Sequence, residues 1–415
     1  MNCKAPRGTH DIFGINALGM SILEQKSKQI FIKHGFEEVR TPIFEDASLF
    51  TRSIGQTTDI VEKEMYVFED RKGRKLALRP EGTASLVRAY IEHRFDVSYP
   101  SGKFFYTGEM FRYERPQAGR YRQFHQIGAE FYGSLSPSAD AEIILLACDI
   151  FSSVGINQIK VHINSLGCQK CRPLFRASLI KYFSSVSDLC RDCTRRLQTN
   201  PLRLLDCKID VHKFTDVPKM EKFLCQDCKE HFNLTQTLLK SVGCAYTVDP
   251  KLVRGLDYYT RTVFEIRSDI LGAQDALGAG GRYDNLVKEL GGQDTPVVGF
   301  ALGSERVLIA AKKSGFFDNL NKVEKIFIAI ADQELFSTAF AFCVKLTRNG
   351  LKGNNNISVF GPVDNKSLTS QLKFADKIGA AKTIVFAKDE LEEGKVLVKD
   401  MKDKTQSEVL ISALL

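Results

Sequence analysis

Between residues 17 and 34 the apolar positions Leu18, Ile22, Ile30 and Ile32 recur among charges, a pattern that predicts an amphipathic helix. GFEEVRTPIFED then predicts a short strand ended near Pro42. RKLALRPEGTA alternates Leu76 and Leu78 with polar neighbours before stopping at Pro80. Thr83 stands where a capping residue belongs, ahead of a helix whose apolar face is Leu86, Val87, Tyr90 and Ile91. GKFFYTGEMFRYE and RQFHQIGAEFYG are aromatic-rich runs on either side of an ERPQAG turn, and predict a long antiparallel hairpin. A helix from about residue 139, AEIILLACDIF, leads to a short strand, KVHINS. Residues 165–245 are mostly helical in pattern, charged and cysteine-bearing. Strand patterns resume with LVRGLDYYTRTVFEIRS, ALGAGGRY and PVVGFALG, the last running into a helix, SERVLIAAKKSG. The composition changes at 315–325, read as a linker. After it, KIFIAIA, NISVFG and TIVFAK alternate with helical segments, the pattern of a small α/β unit. The main body reads as antiparallel sheet flanked by helices, so the fold class expected is α+β.

Side chains alternate along a strand, which puts Gln126, Gly128 and Glu130 on one face of the second hairpin strand and Ile127, Ala129 and Phe131 on the other. The second set is a core face. The first offers an amide, a bare glycine and a carboxylate, which suits the floor of a pocket; the alternative is an exposed sheet face with ordinary charges. Arg112 shares a face with Gly108 and Met110 and reaches over the same floor. RPEGT places Glu81 and Thr83 beside Gly82. LVRGLDYYTR supplies Arg254 with Tyr258 and Tyr259, and GAGGRYD reads as a glycine-rich turn holding Arg282 and Asp284. Each has a plain alternative: GAGG as a bulge, Arg254 as a structural ion pair, Ser304 as a cap for the helix that carries Arg306. No GxxxxGK[ST] and no GxGxxG is present, so any phosphate must be cradled by arginines.

At 415 residues, two or three domains are expected. Apolar stretches fall far short of a membrane span, and MNCKAPRGTHD has no apolar signal region, so a cytoplasmic protein that meets no membrane is the expectation. A net charge of +8 suits a polyanionic partner, nucleic acid before membrane. Eleven cysteines, an odd number, in a chain without an export signal read as reduced thiols. Seven of them fall between Cys168 and Cys228. Cys168 and Cys171 with Cys190 and Cys193 make C-x2-C-x18-C-x2-C, a spacing that suits tetrahedral zinc; Cys207, Cys225 and Cys228 are alternative contributors.

Taken together, RGTHDIFG, GFEEVRTPIFED, RPEGT, FRYERPQAGRYRQFHQIGAEFYG, LVRGLDYYTRTVFE, GAGGRYDNLV and GFALGSERV resemble the histidyl-tRNA synthetases, class II aminoacyl-tRNA synthetases. The likeness runs over nearly the whole chain, including SLTSQLKFADKIGA. It implies a catalytic core in two parts, residues 1–164 with motifs 1 and 2 and residues 246–320 with motif 3. It further implies a helical insertion at 165–245 and an anticodon-binding domain at 321–415. The activity implied is ATP-dependent joining of L-histidine to tRNA(His) through a histidyl-adenylate, by a homodimer, with Mg2+ accompanying ATP. By resemblance, Arg112 and Arg254 are catalytic arginines at the α-phosphate and Arg306 holds the γ-phosphate. Glu81, Gly82, Thr83, Arg112, Gln126, Glu130, Arg254, Tyr258 and Tyr259 bind histidine, and Arg115 and Gln117 meet the tRNA acceptor end. Activity in this family does not depend on zinc, which weights the cysteines toward plain thiols. The alternative is a regulatory paralogue of the same fold without catalysis.

Overall fold

In the computed structural model, residues 3–415 are described apart from 56, 57, 59, 100, 101, 118, 273, 274, 321, 322, 352–355, 364 and 365. Two compact units are present, Met1–Asn319 and Leu320–Leu415. The strands of the first are β1 (Glu37–Glu38), β2 (Phe44–Asp46), β3 (Val67–Glu69), β4 (Lys75–Leu78), β5 (Lys103–Phe111), β6 (Gln123–Tyr132), β7 (Lys160–Ser165), β8 (Tyr246–Val248), β9 (Thr260–Arg267), β10 (Ala276–Arg282) and β11 (Val297–Gly303). Eight of them form one sheet in the order β1-β5-β6-β11-β10-β9-β7-β8, antiparallel except at its two edge pairs, while β2, β4 and β3 make a small separate sheet. The longer helices are α1 (Ile15–Lys33), α2 (Thr83–Glu92), α3 (Pro137–Ser153), α4 (Arg172–Phe183), α5 (Arg191–Thr199), α6 (Gln226–Ser241) and α7 (Ser304–Lys313). No helix among the described residues is long and apolar enough to cross a membrane.

The hairpin is β5 and β6, with Gly108 opposite Gln126 and Phe104 opposite Glu130. Its alternation is as the sequence predicts. Ile127 and Ala129 enter the main core with Phe105, Val298 and Phe300, packed under α1, α3 and α7, where each fully buried aliphatic or aromatic side chain contributes about 1.5–3 kcal/mol. The opposite face carries Tyr106, Met110 and Tyr132 beneath Leu86, Val87 and Tyr90 of α2.

Other expectations need correction. The helix at 17–34 exists, but its buried face is Gly19, Met20, Leu23, Ser27 and Phe31, while Leu18 and Ile32 are exposed. Phe31 stacks on Phe105 of β5, and a ring that fills the core decides the helix's rotation over scattered isoleucines. In β4 it is Ala77 that is buried, between the half-buried Leu76 and Leu78. Thr83 does not cap α2; it is the first residue, and both oxygens of Glu81 accept from the backbone N–H groups of Thr83 and Ala84, at 2.9 and 2.8 Å. GAGGRYD is not a turn: Gly278 to Arg282 lie in β10, whose pairing with β9 shifts register on both sides, so the bulge reading holds. Ser304 opens α7 without making a cap bond.

Arg282 is wholly buried and belongs to the scaffold. Its Nε lies 3.1 Å from Asp140 Oδ2, one terminal nitrogen donates to the Ser134 carbonyl at 2.6 Å and to Asp284, and the other to Asp140 and the Ser136 carbonyl. Burial pushes the Asp140 carboxyl up, but Arg282 and then His231 of α6 outweigh it and hold the group below its usual range.

The second unit contains β12 (Glu324–Ile330), β13 (Ile357–Phe360), β14 (Lys382–Phe386), β15 (Lys395–Asp400) and β16 (Gln406–Leu410), in the order β13-β12-β14-β15-β16. The first three are parallel, as the alternating pattern predicts; β15 and β16 add an antiparallel edge that the pattern did not announce.

Asp140→Ala leaves the Arg282 guanidinium buried and unpaired, and should lower the unfolding free energy by about 3–5 kcal/mol in urea titration. Combining it with Arg282→Met should recover much of the loss. Because the native carboxyl is held low, its contribution is present above its unfolded pKa of about 3.9 and is lost as pH falls through the native value. Double-variant stability no better than the single variant would show that the pair's charge is not what matters.

Candidate functional site

A cleft of about 430 Å³ opens on the face of the sheet opposite the main core. Its floor is β6, β10 and β11. Three glycines make that floor possible. A Cβ on Gly299 of β11 would lie 1.5 Å from Glu130 Oε2, and one on Gly82 or Gly128 would lie 2.2 or 2.4 Å from the Tyr106 ring. The chain therefore gives up side chains at these positions to seat a carboxylate and a phenol.

Glu130 is 1% exposed. Its Oε1 accepts from the Thr83 hydroxyl at 2.7 Å and its Oε2 from the Tyr283 hydroxyl at 2.5 Å. Burial raises its carboxyl to about 8, against the two hydrogen bonds and with help from the charge of Glu81. Glu81, also buried, is raised by desolvation and partly restored by its backbone donors. Tyr258 and Tyr259 close this end with their rings 4.8 Å apart, and Tyr283 lies 5.2 Å from Tyr258. The result is a small apolar-walled chamber with two carboxyl groups at its floor.

The other end is cationic. Arg112 leaves the end of β5, donates from Nε to the Pro80 carbonyl at 2.8 Å and lies over the Phe124 ring. Arg254 comes from the loop before β9 and pairs with Glu265 at 2.6 Å; the ion-pair alternative therefore holds, and the residue still lines the cleft. Arg306, in the first turn of α7, donates to the Ala276 carbonyl. Burial and then the neighbouring Arg120 push its guanidinium pKa down, a cation set beside another cation. Glu305, one residue earlier, fixes that turn against β6 by accepting from the His125 backbone N–H at 3.0 Å and meeting its Nδ1 at 2.8 Å; the carboxylate raises the His125 pKa.

Buried polar groups are normally hydrogen-bonded. Among the described residues, the buried Nε of Arg254 and Oε1 of Gln126 have no partner, and both residues line the cleft, one group a donor and the other an acceptor. Glu114 and Glu265 lie at the arginine end as well, and their oxygens fit a hard divalent cation such as Mg2+.

Glu81, Thr83, Arg112, Gln126, Glu130, Arg254, Tyr258, Tyr259 and Arg306 thus share one cleft. Gly82 sits behind it as the space for Tyr106. Arg115 and Gln117 are exposed on the tip of the hairpin, away from the floor, where Gln117 bridges to Arg120; Ala118 of that turn is outside the described residues. Sequence reasoning missed Tyr106, Tyr283, Arg120 and Arg203. Tyr106 had a signal, since it shares the strand parity of Gly108 and Met110. Arg203 had none: it reaches the cleft from the segment between β7 and β8, on a short 3-10 turn, Pro201–Leu204.

The cysteines regroup. Cys168 and Cys171 meet Cys225 and Cys228, not the Cys190–Cys193 pair; that pair meets Cys207 and Asp210.

Residues 8–178 and 186–307 match the family model described as histidyl-tRNA synthetase. Over 412 residues the chain is 76% identical to the histidine--tRNA ligase of Endomicrobium trichonymphae, covering 99% of this chain and all of that one. It is 46% identical over 417 residues to that of Aquifex aeolicus, covering both chains in full. The crystal structure of apo histidyl-tRNA synthetase from S. aureus superposes with a TM-score of 0.82 at 34% identity, covering 99% of this chain and 98% of that one. With the motifs gathered on one cleft and the likeness running from end to end, the chain belongs to the histidyl-tRNA synthetase family.

Proposed function

We infer that the chain joins L-histidine to tRNA(His) at the expense of ATP. The observation that supports this most is that the three arginines and the buried carboxyl chamber are two ends of one cleft. An amino acid seated by its side chain at Glu130 extends its carboxylate toward the arginines. There a carboxylate oxygen attacks the α-phosphorus of ATP, the bond to the bridging oxygen breaks, and diphosphate leaves with that oxygen. Arg112 and Arg254 offer guanidinium N–H groups to the charge that builds on the phosphoryl oxygens, and Arg306 to the departing phosphates. Glu114 and Glu265 would hold Mg2+, which neutralises phosphate charge when bound. In the second half a ribose hydroxyl at the tRNA end attacks the histidyl carbonyl and releases AMP; Arg115 and Gln117 on the exposed hairpin tip are the groups assigned to that end. No enzyme nucleophile is required.

Histidine is selected at Glu130. The pair of imidazole and carboxyl is matched when it carries one proton, with the tyrosine hydroxyls serving the other ring nitrogen. Residues 321–415 are assigned to the anticodon, residues 165–245 to an insertion, and the working species to a cytoplasmic homodimer. A regulatory paralogue is the weaker reading, because every arginine the reaction needs lines the cleft.

Arg254→Ala should cut histidine-dependent ATP–diphosphate exchange by about 10² to 10³, equivalent to about 3–4 kcal/mol of transition-state stabilisation. Its melting temperature should hold, since Glu265 retains Arg267 at 2.6 Å. Exchange within a few-fold of the parent would leave Arg254 a purely structural partner of Glu265.

The pH profile for histidine follows from Glu130 at about 8 and free imidazole at about 6.5. Between these values the free enzyme and free histidine together carry the one shared proton. Below them a proton must be lost on binding, and above them one must be taken up. The exchange kcat/KM for histidine should therefore be bell-shaped with its optimum between those limits, and Glu130→Gln should remove the alkaline limb while the KM for ATP stays within a few-fold. An alkaline limb that survives in Glu130→Gln belongs to another group.

A chain ending at residue 319 should keep adenylate formation and lose most charging of tRNA(His), read by exchange against aminoacylation. The second unit carries 14 basic and 12 acidic side chains from residue 322 onward, so the affinity it supplies need not be strongly salt-dependent. Full charging by the shortened chain would assign the anticodon contact elsewhere.

A further inference from the structure

We propose that the insertion binds zinc, at a site made by Cys168, Cys171, Cys225 and Cys228. The four sulfur atoms lie within 4.8 Å of one another. Cys168 Sγ is 3.7 Å from Cys171 Sγ and 3.9 Å from Cys225 Sγ. Zinc–thiolate bonds of about 2.3 Å in a tetrahedron put the sulfurs about 3.8 Å apart, whereas a disulfide needs about 2.05 Å. All eleven cysteines are free thiols. Two Cys-x2-Cys pairs, 57 residues apart at their first members, converge here. Cys171 and Cys225 each stand at the N-cap of a helix, α4 and α6, so the two helix starts bring the pairs together. The Cys225 backbone N–H donates to Cys171 Sγ at 3.1 Å, a contact that orients and neutralises a ligand sulfur.

A separate cluster carries a second site of the same kind. Cys190, Cys193, Cys207 and Asp210 also lie within 4.8 Å of one another, with Cys190 and Cys207 sulfurs 3.9 Å apart. Asp210 follows Cys207 at the spacing that separates each cysteine pair, so a carboxylate stands in the fourth ligand position. Cys190 caps α5, and the Asp210 backbone N–H donates to Cys207 Sγ at 3.3 Å. The insertion has a reason to need both. It builds its own small core, Phe175, Leu179, Phe183 and Leu204 among the cysteines, and a unit of about 80 residues or fewer gains much of its stability from such staples. Cys207 lies four residues from Arg203, so the second site also braces the segment that reaches the cleft.

The full chain, purified without chelator from zinc-supplied cells, should contain two zinc ions per chain by elemental analysis. Cys228→Ser should remove one and Asp210→Ala the other. Cobalt replacement in the unaltered protein should give thiolate charge-transfer bands and the intense visible bands of tetrahedral cobalt, which needs no variant to fold. One zinc lost only with Cys228→Ser overturns the second site, and one lost only with Asp210→Ala overturns the first. Absence of stoichiometric zinc and of cobalt bands overturns both, and iron with acid-labile sulfide overturns the choice of metal.

Discussion

The buried pair of Arg282 and Asp140 holds together a sheet that the sequence supplies in two instalments. Strands β5 and β6 come before the cysteine-bearing helices α4 to α6 and β9, β10 and β11 after them, yet they must form one floor. Arg282 at the end of β10 closes that gap by gripping Asp140 and the Ser134 and Ser136 carbonyls, all in the segment following β6. A charge in the interior is tolerated only when its hydrogen-bonding capacity is filled. Here the guanidinium's donors point at carboxylate or carbonyl oxygens, so a shift of β10 along β11 would strand several of them at once. His231 of α6, its Nε2 3.3 Å from Asp140 Oδ1, brings a third region to the same anchor.

With the floor fixed, the two carboxyls on it follow a common logic with different outcomes. Glu81 is satisfied by two backbone N–H groups at the start of α2, a place where negative charge is stabilised by the helix dipole. Among the described residues Glu130 has only hydroxyl donors, and burial raises its carboxyl to about 8. The glycines at 82, 128 and 299 serve this arrangement. They are empty because Tyr106 and Glu130 occupy the volume their side chains would take.

Much of this was legible in the sequence wherever a pattern was local. The hairpin, its two faces and the floor residues Gln126, Gly128 and Glu130 follow from a period of two, which a strand must obey. The rotation of α1 was not legible, since Leu18 and Ile32 are as apolar as Met20 and Leu23, and only the position of Phe105 across the sheet chooses between them. Thr83 looked like a cap because its hydroxyl can make that bond; the neighbouring Glu81 makes it instead, and frees the hydroxyl for Glu130. Arg282 lay inside a motif rich in glycine and looked available to a ligand, whereas its partner Asp140 stands 142 positions earlier. The cysteine grouping failed for the same reason: equal spacing within each pair says nothing about which pairs meet.

The resting ion pairs of the cleft add a last constraint on how it works. Arg254 is held by Glu265, and Arg112 and Arg120 lie 3.8 and 3.4 Å from Glu114. A triphosphate entering this end does not meet bare cations; it displaces or shares arginines already matched to carboxylates. That lowers the net attraction, because each new bond replaces an old one, and it also keeps several guanidinium groups from repelling one another while no phosphate is present. Arg306 differs. Its guanidinium pKa is pushed down by burial and by the neighbouring Arg120, and phosphate charge entering there offsets that repulsion. On the proposed reading, Arg112 and Arg254, matched to Glu114 and Glu265 at rest, keep their strongest interactions for the charge that appears during the reaction.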